Sequence, residues 1–161
     1  METKINIKQK TTFRRALRLA KTAILFALIL TPIRFSLELI GLPERIIFII
    51  GLLWLTLAFA IYWGIKLYNE ENALGVLLLS LLLFSPISRF PVAVIWWIDH
   101  KWEIGTHYSL HFDNFAQAAF QQVVYGSLIQ LIPGFLLGTI TIAIMRKKNN
   151  GIKKMNTIHN E

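Results

Sequence analysis

The chain contains no cysteine, which excludes disulfide bonds, thiolate catalysis and cysteine-ligated zinc or iron–sulfur sites. Charged residues are also scarce: they make up 16% of the sequence, against about 25% in soluble domains. Hydrophobic residues make up 55%. This composition argues against an ordinary soluble domain and against intrinsic disorder, which requires low hydrophobicity. It predicts an integral membrane protein.

Common catalytic and nucleotide-binding motifs are missing as well. The sequence has no Gly-x-Ser-x-Gly elbow, no Gly-x-x-x-x-Gly-Lys phosphate loop and no Gly-x-Gly-x-x-Gly fingerprint. It also lacks the His-Glu-x-x-His zinc motif and any repeat of 20–50 residues, which excludes a solenoid. These absences favour a function other than catalysis.

Four apolar stretches are each long enough to cross a membrane, which takes about 20 residues of helix. We predict an all-α protein with four transmembrane helices in a bundle, at about residues 22–42, 46–65, 73–98 and 121–145. Pro86 and Pro91 predict a break in the third helix, because proline removes a backbone donor and clashes with the preceding turn. A signal peptide is the competing interpretation of the first stretch, but no small-residue cleavage site follows it.

The net charge of +8 is concentrated at the two ends of the chain. Seven of the 17 basic residues precede the first stretch and five follow the last. Because Lys and Arg mark the cytoplasmic side, and four spans return the chain to its starting side, we predict cytoplasmic N- and C-termini. The charge is therefore not attributed to nucleic-acid binding. Short loops favour a bacterial cytoplasmic (inner) membrane.

This topology divides the chain into three parts. Residues 1–21 form a basic segment, residues 22–145 form the transmembrane domain with an outer loop at 99–114, and residues 146–161 form a basic tail. Within the first part, residues 11–21 have the spacing of an amphipathic helix that lies on anionic membrane lipids, at about 1 kcal/mol per basic residue. The alternative is that these charges only fix the topology.

Three charged residues and one amide fall inside the predicted spans. At ~1.5 Å per residue, Glu38 lies about 6 Å below the outer boundary, while Arg34, Arg89 and Gln130 lie about 10–13 Å below it. Intramembrane charges usually face inward and mark functional sites. One interpretation is an outward-opening pocket in which Arg34, Glu38, Arg89 and Gln130 bind a phosphate, carboxylate or lipid headgroup, aided by a helix start near Pro91. The other is structural, with Arg34 and Glu38 paired at i,i+4 spacing and Arg89 reaching exposed carbonyls.

The outer loop contains most of the histidines. His100, Glu103, His107 and His111 approximate one helical stripe of divalent-metal ligands, although Gly105 interrupts it. The alternative is an interfacial aromatic belt with solvated histidines between its members. The belt consists of Trp96, Trp97, Trp102, Tyr108 and Phe112. Apart from this metal site, no cofactor is predicted.

A close-packing motif lies in the fourth stretch. Gly134-x-x-x-Gly138 predicts either a seam inside the chain or a contact with another membrane protein or a second copy. The leading functional hypothesis is a non-enzymatic accessory subunit, or a binder of an anionic ligand or lipid headgroup. The alternatives are a metal-dependent enzyme that acts on a lipid through the outer-loop histidines, and a subunit of an oligomeric transporter or channel.

Overall fold

A computed structural model describes residues 2–108 and 112–158, and over these residues the regular structure is helical, without strands. The helices are α1 (Glu2–Leu39), α2 (Glu44–Ile49), α3 (Leu52–Leu67), α4 (Ala73–Trp102), α5 (Phe115–Phe120), a π-helical turn (Gln121–Tyr125) and α6 (Gly126–Ile158). Four helical segments are long and apolar enough to cross a membrane: Gln9–Leu39, Arg45–Leu67, Ala73–Trp102 and Phe115–Gly151. The all-helical class and the four candidate spans predicted from the sequence are confirmed.

The first helix is longer than the sequence predicts. α1 runs without interruption from Glu2 to Leu39, so residues 11–21 do not form a separate helix. A stripe of small buried residues crosses the predicted boundary at residue 22 and lets α1 approach α4 closely, as small residues do in membrane helices. The stripe consists of Ala16, Ala20, Ala23 and Ala27.

The break predicted at Pro86 and Pro91 is not confirmed, because α4 continues through both prolines to Trp102. Membrane helices tolerate proline where neighbouring helices and Ser or Thr side chains satisfy the freed backbone groups. With no new helix beginning near Pro91, the predicted contribution of free helix-start amides to anion binding is also absent. The positive charge at this level comes from side chains alone.

The interruption lies instead in the second span, for which the sequence predicts a single helix. α2 ends at Ile49 and α3 begins at Leu52, with Gly51 extended at φ −99° and ψ 156°. A Cβ on Gly51 would lie 2.7 Å from the carbonyl oxygen of Phe48, a contact that a real Cβ cannot make. The turn therefore requires glycine at this position.

α4 packs against α1, α3 and α6, and α3 packs along α6. In the core between them, Trp63 of α3 meets Phe84 of α4 edge to face, with the ring centroids 6.2 Å apart. At the end of the molecule that holds residues 68–72, Arg15 of α1 pairs with Glu70 at 2.9 Å. Arg146 of α6 donates to the Glu70 carbonyl at the same end, also at 2.9 Å. The basic stretches of α1 and α6 therefore meet the same connecting loop.

Glycines let α6 approach its neighbours. A Cβ on Gly138 would lie 2.7 Å from Cδ2 of Leu77 and 3.2 Å from the carbonyl oxygen of Ala60. A Cβ on Gly134 would lie 3.1 Å from Cγ2 of Thr56. The Gly134–Gly138 face is thus covered by α3 and α4 of the same chain, which favours the internal seam. A second subunit would need another face, and oligomerisation stays a prediction.

We expect Gly138→Ala to lower the free energy of unfolding by about 1–3 kcal/mol, because the added methyl group must displace Leu77 or the α3 backbone. The control is Gly151→Ala in the same helix, where an added Cβ meets nothing within 4 Å. That variant should keep or slightly raise the stability, since alanine has the higher helix propensity. Thermal unfolding in a neutral detergent measures both, and equal unfolding temperatures would contradict the close packing at Gly138.

Candidate functional site

Three of the sequence-predicted site residues lie around Tyr108, in the segment that joins α4 to α5. The charges of Arg34, Glu38 and Arg89 all act on the Tyr108 hydroxyl. The Tyr108 side chain is buried, and its ring meets Phe35 of α1 edge to face with the centroids 6.1 Å apart. The structure therefore brings residues of α1 and α4 together next to the segment that follows α4.

The Glu38 carboxylate binds His107 rather than Arg34. Its Oε1 accepts the backbone N–H of His107 at 2.6 Å, and its Oε2 lies 2.5 Å from Nδ1 of the same residue. Over the described residues, the i,i+4 pair between Arg34 and Glu38 that the spacing predicts is not formed. Glu38 instead fastens the segment after α4 to α1.

Asp99 shapes the turn that delivers Tyr108 to this region. It is fully buried near the end of α4. Its Oδ1 accepts the backbone N–H groups of Gly105 at 2.9 Å and Thr106 at 3.2 Å, and its Oδ2 accepts the Thr106 hydroxyl at 2.5 Å. Gly105 has a φ of +83°, the left-handed conformation that glycine adopts without strain. The chain can therefore turn back sharply after α4.

Arg89 extends from α4 to the π-helical turn. Its Nη1 donates to Oε1 of Gln122 at 3.4 Å. Its stem packs on Gly126, where an added Cβ would lie 3.2 Å from both Cδ and Nε of Arg89. Single π-helical turns inside α-helices are frequent at functional sites. Here the turn carries the side chain that hydrogen-bonds Arg89.

Gln130 continues the same face of α6 toward the membrane interior. It is fully buried, and its Oε1 accepts the hydroxyl of Ser88 at 3.2 Å. Three residues spaced by four contact α4 from this side. Gln122 and Gly126 contact Arg89, and Gln130 contacts Ser88. Gln130 is one of the four predicted ligand-binding residues. It does not contact Arg89 through a hydrogen bond, but it contacts Ser88, the residue before Arg89 on α4.

Four buried polar atoms of this region have no hydrogen-bond partner among the described residues. They are Nε of Arg34, Nε of Arg89, the hydroxyl oxygen of Tyr108 and Nε2 of Gln130. Turning the Gln130 amide over would leave its carbonyl oxygen unpaired instead. Each unsatisfied buried group costs about 1–3 kcal/mol. Such a set is unfavourable for stability alone and is suited to an acceptor-rich ligand.

The protonation state of Tyr108 adds to this donor set. Burial raises the pKa of its hydroxyl, as does the Glu38 carboxylate, and the opposing effects of Arg34 and Arg89 do not reverse the direction. The hydroxyl is therefore protonated near neutral pH and can donate a hydrogen bond. Two guanidiniums and a phenol form a donor set that can complement negative charge.

The metal-site prediction is not tested by the structure. His100 stacks on Trp96 with the rings 4.9 Å apart, Glu103 is exposed at the end of α4, and His107 contacts Glu38. Across residues 2–108 and 112–158, no group of three or more His, Asp or Glu side chains is placed to hold a metal ion. His111 lies outside the described residues, so its role stays a prediction.

Three members of the region are not predicted from the sequence. The sequence predicts that Tyr108 belongs to the aromatic belt, and it predicts no role for Gln122 or Ser88. The spacing of Gln122, Gly126 and Gln130 is the signal that could have identified the polar face of the fourth span.

No protein-family model, no curated protein and no solved structure matches this chain.

Proposed function

We propose that this membrane protein binds an anionic group at Arg34 and Arg89, within the outer leaflet. The observation that carries the proposal is the set of buried donors on Arg34, Arg89 and Tyr108 that lack partners among the described residues. Arg34 and Arg89 also lie close enough to repel each other, a cost that an anion between them would remove. In this proposal the protein is not an enzyme, and it acts as a binder of an anionic group or as an accessory subunit.

Carboxylates of the chain itself do not neutralise the charges of Arg34 and Arg89 among the described side chains. Over the described side chains, neither guanidinium forms an ion pair with a carboxylate, since Glu38 is bound to His107 and Asp99 to the turn at Gly105 and Thr106. An arginine near the membrane centre costs about 2.5–3.5 kcal/mol on insertion scales. Two of them in one region need compensation, and a bound anion supplies it.

The orientation of the site follows from the charge distribution. Arg15 and Arg146 both contact the loop at residues 68–72, so the basic stretches of the chain gather at one end of the helices. By the positive-inside rule this end is cytoplasmic, and both termini lie there. Arg34, Arg89 and Tyr108 then belong to the outer half of a four-helix bundle, in a membrane that we propose is the bacterial inner membrane.

The test uses inorganic phosphate as the probe and thermal unfolding in a neutral detergent as the measurement. A bound ligand raises the stability of the folded state, by about 2.7 kcal/mol at 100 times its dissociation constant. We expect phosphate, compared with chloride at equal ionic strength, to raise the unfolding temperature of the wild-type protein. Arg89→Gln should weaken phosphate binding roughly tenfold or more, because hydrogen bonds to charged groups contribute about 1.5–3 kcal/mol.

The matched control is Arg45→Gln, which removes an exposed arginine from the α2 end of the same predicted outer side. It should leave the phosphate effect unchanged, since exposed charges are screened by salt. Absence of a phosphate effect on the wild-type protein would overturn the proposal. So would an equal phosphate effect in the wild-type protein and in Arg89→Gln.

A further inference from the structure

We infer that the anion is the headgroup phosphate of a membrane lipid, and that one acyl chain of this lipid lies in an apolar groove beside Arg89. This inference rests on the proposed function, because it identifies the ligand of the same site. The groove has a volume of about 380 Å³ and is lined only by apolar residues. They are Leu28 of α1, Pro86, Ile87, Phe90 and Pro91 of α4, and Val123 of the π-helical turn.

The groove is formed in part by the two segments that the hydrogen bond between Arg89 and Gln122 joins. Val123 follows Gln122, whose side chain accepts a hydrogen bond from Arg89, and Phe90 follows Arg89 directly. Phe90 and Val123 of the groove thus belong to the same helical turns as Arg89 and Gln122. A lipid whose phosphate reaches Arg89 can therefore place an acyl chain along the groove.

From there the groove extends toward the membrane interior. Leu28 precedes Arg34 by six residues of the same helix, which places it about 9 Å closer to the cytoplasmic end of α1. Pro86 likewise precedes Arg89 on α4. Leu28 and Pro86 thus lie on the interior side of the two arginines, where the acyl chain of an outer-leaflet lipid extends below its phosphate.

The accessibility of the groove favours a lipid over a free phosphate ion. Ile87 is 45% exposed and Phe90 54% exposed, so the groove is open on the side that faces the bilayer. A lipid can enter by lateral diffusion, whereas a hydrated ion must first lose water. Within hydrocarbon the groove gains no hydrophobic energy, so shape and packing decide which chain it holds. Charge complementarity with Arg34 and Arg89 then selects an anionic headgroup.

The experiment measures lipid retention by native mass spectrometry of the full chain, after incubation with equal amounts of phosphatidylglycerol and phosphatidylcholine in neutral detergent. We expect the wild-type protein to retain phosphatidylglycerol roughly tenfold more, because the choline cation is repelled by the guanidiniums whereas glycerol is not. Leu28→Trp fills the groove and should lower phosphatidylglycerol retention roughly fivefold or more, given the usual cost of overpacking. Its effect on inorganic phosphate binding should be small.

Leu136→Trp is the matched control, because Leu136 is 59% exposed on α6 and does not line the groove. It should retain lipid as the wild-type protein does. Ile87→Trp is a second groove variant that should repeat the loss, and unfolding temperatures show that each variant is folded.

The outcomes separate the lipid inference from the proposed function. If phosphate stabilises the wild-type protein but both groove variants retain phosphatidylglycerol normally, the lipid inference is wrong and the anion site stands. If phosphatidylglycerol and phosphatidylcholine are retained equally while phosphate still stabilises the protein, the lipid inference is again overturned. If phosphate does not stabilise the wild-type protein, the proposed function itself fails.

Discussion

Asp99→Ala should lower the free energy of unfolding by about 3 kcal/mol, because it leaves the buried Thr106 N–H and hydroxyl and the partly buried Gly105 N–H without an acceptor. Asp99 is fully buried and accepts hydrogen bonds from the backbone of Gly105 and from both the backbone and the hydroxyl of Thr106. Alanine replaces none of these acceptors. The turn that positions Tyr108 should therefore open, which hydrogen exchange at residues 104–108 would detect as faster exchange.

The control for this prediction is Asp113→Ala, which removes an exposed carboxylate from the same connecting segment. Its effect on stability should stay within about 0.5 kcal/mol, as is usual for surface substitutions. Asp99→Asn should fall between the two, because one oxygen acceptor remains. Chemical unfolding in detergent gives the three values, and a similar midpoint for Asp99→Ala and Asp113→Ala would show that Asp99 does not hold the turn.

The number and helical character of the spans could be predicted from the sequence, because hydrocarbon thickness alone demands long apolar helices. The boundaries could not. The helical spacing of residues 11–21 predicts a helix there, but its continuity with the first span depends on the alanine stripe that packs on α4, which is a tertiary contact. Gly51 is extended because of the turn it makes after α2, whereas an isolated glycine in an apolar run is common in membrane helices.

The candidate site was predictable in its charges but not in its partners. Arg34, Glu38 and Arg89 stand out because charges inside a span are costly, and the structure places all three near Tyr108. The i,i+4 spacing predicts that Glu38 pairs with Arg34. Its actual partner, His107, is 69 residues away in the sequence and reaches it only through the turn organised by Asp99. Long-range contacts of this kind leave no periodic pattern.

The double variant Arg34→Gln/Arg89→Gln should weaken binding of phosphatidylglycerol and of inorganic phosphate by about 100-fold or more. Each charged contact contributes about 1.5–3 kcal/mol, and the double variant removes both positive charges of the site. If the two arginines bind one anion, the single losses should not add, because residues that share a partner are energetically coupled. A double-mutant cycle of dissociation constants measures this coupling, and strict additivity would contradict a shared ligand.

The unfolding temperature of the ligand-free protein distinguishes a ligand-binding role of Arg34 and Arg89 from a structural role. Arg34 and Arg89 repel each other, and neither has a carboxylate partner among the described side chains. Each neutralisation should therefore raise the unfolding temperature of delipidated protein while it weakens phosphate binding. A structural role predicts the opposite sign for the first measurement, since loss of a needed contact lowers stability. A lower unfolding temperature in both single variants would count against ligand binding as the reason for two arginines within the membrane.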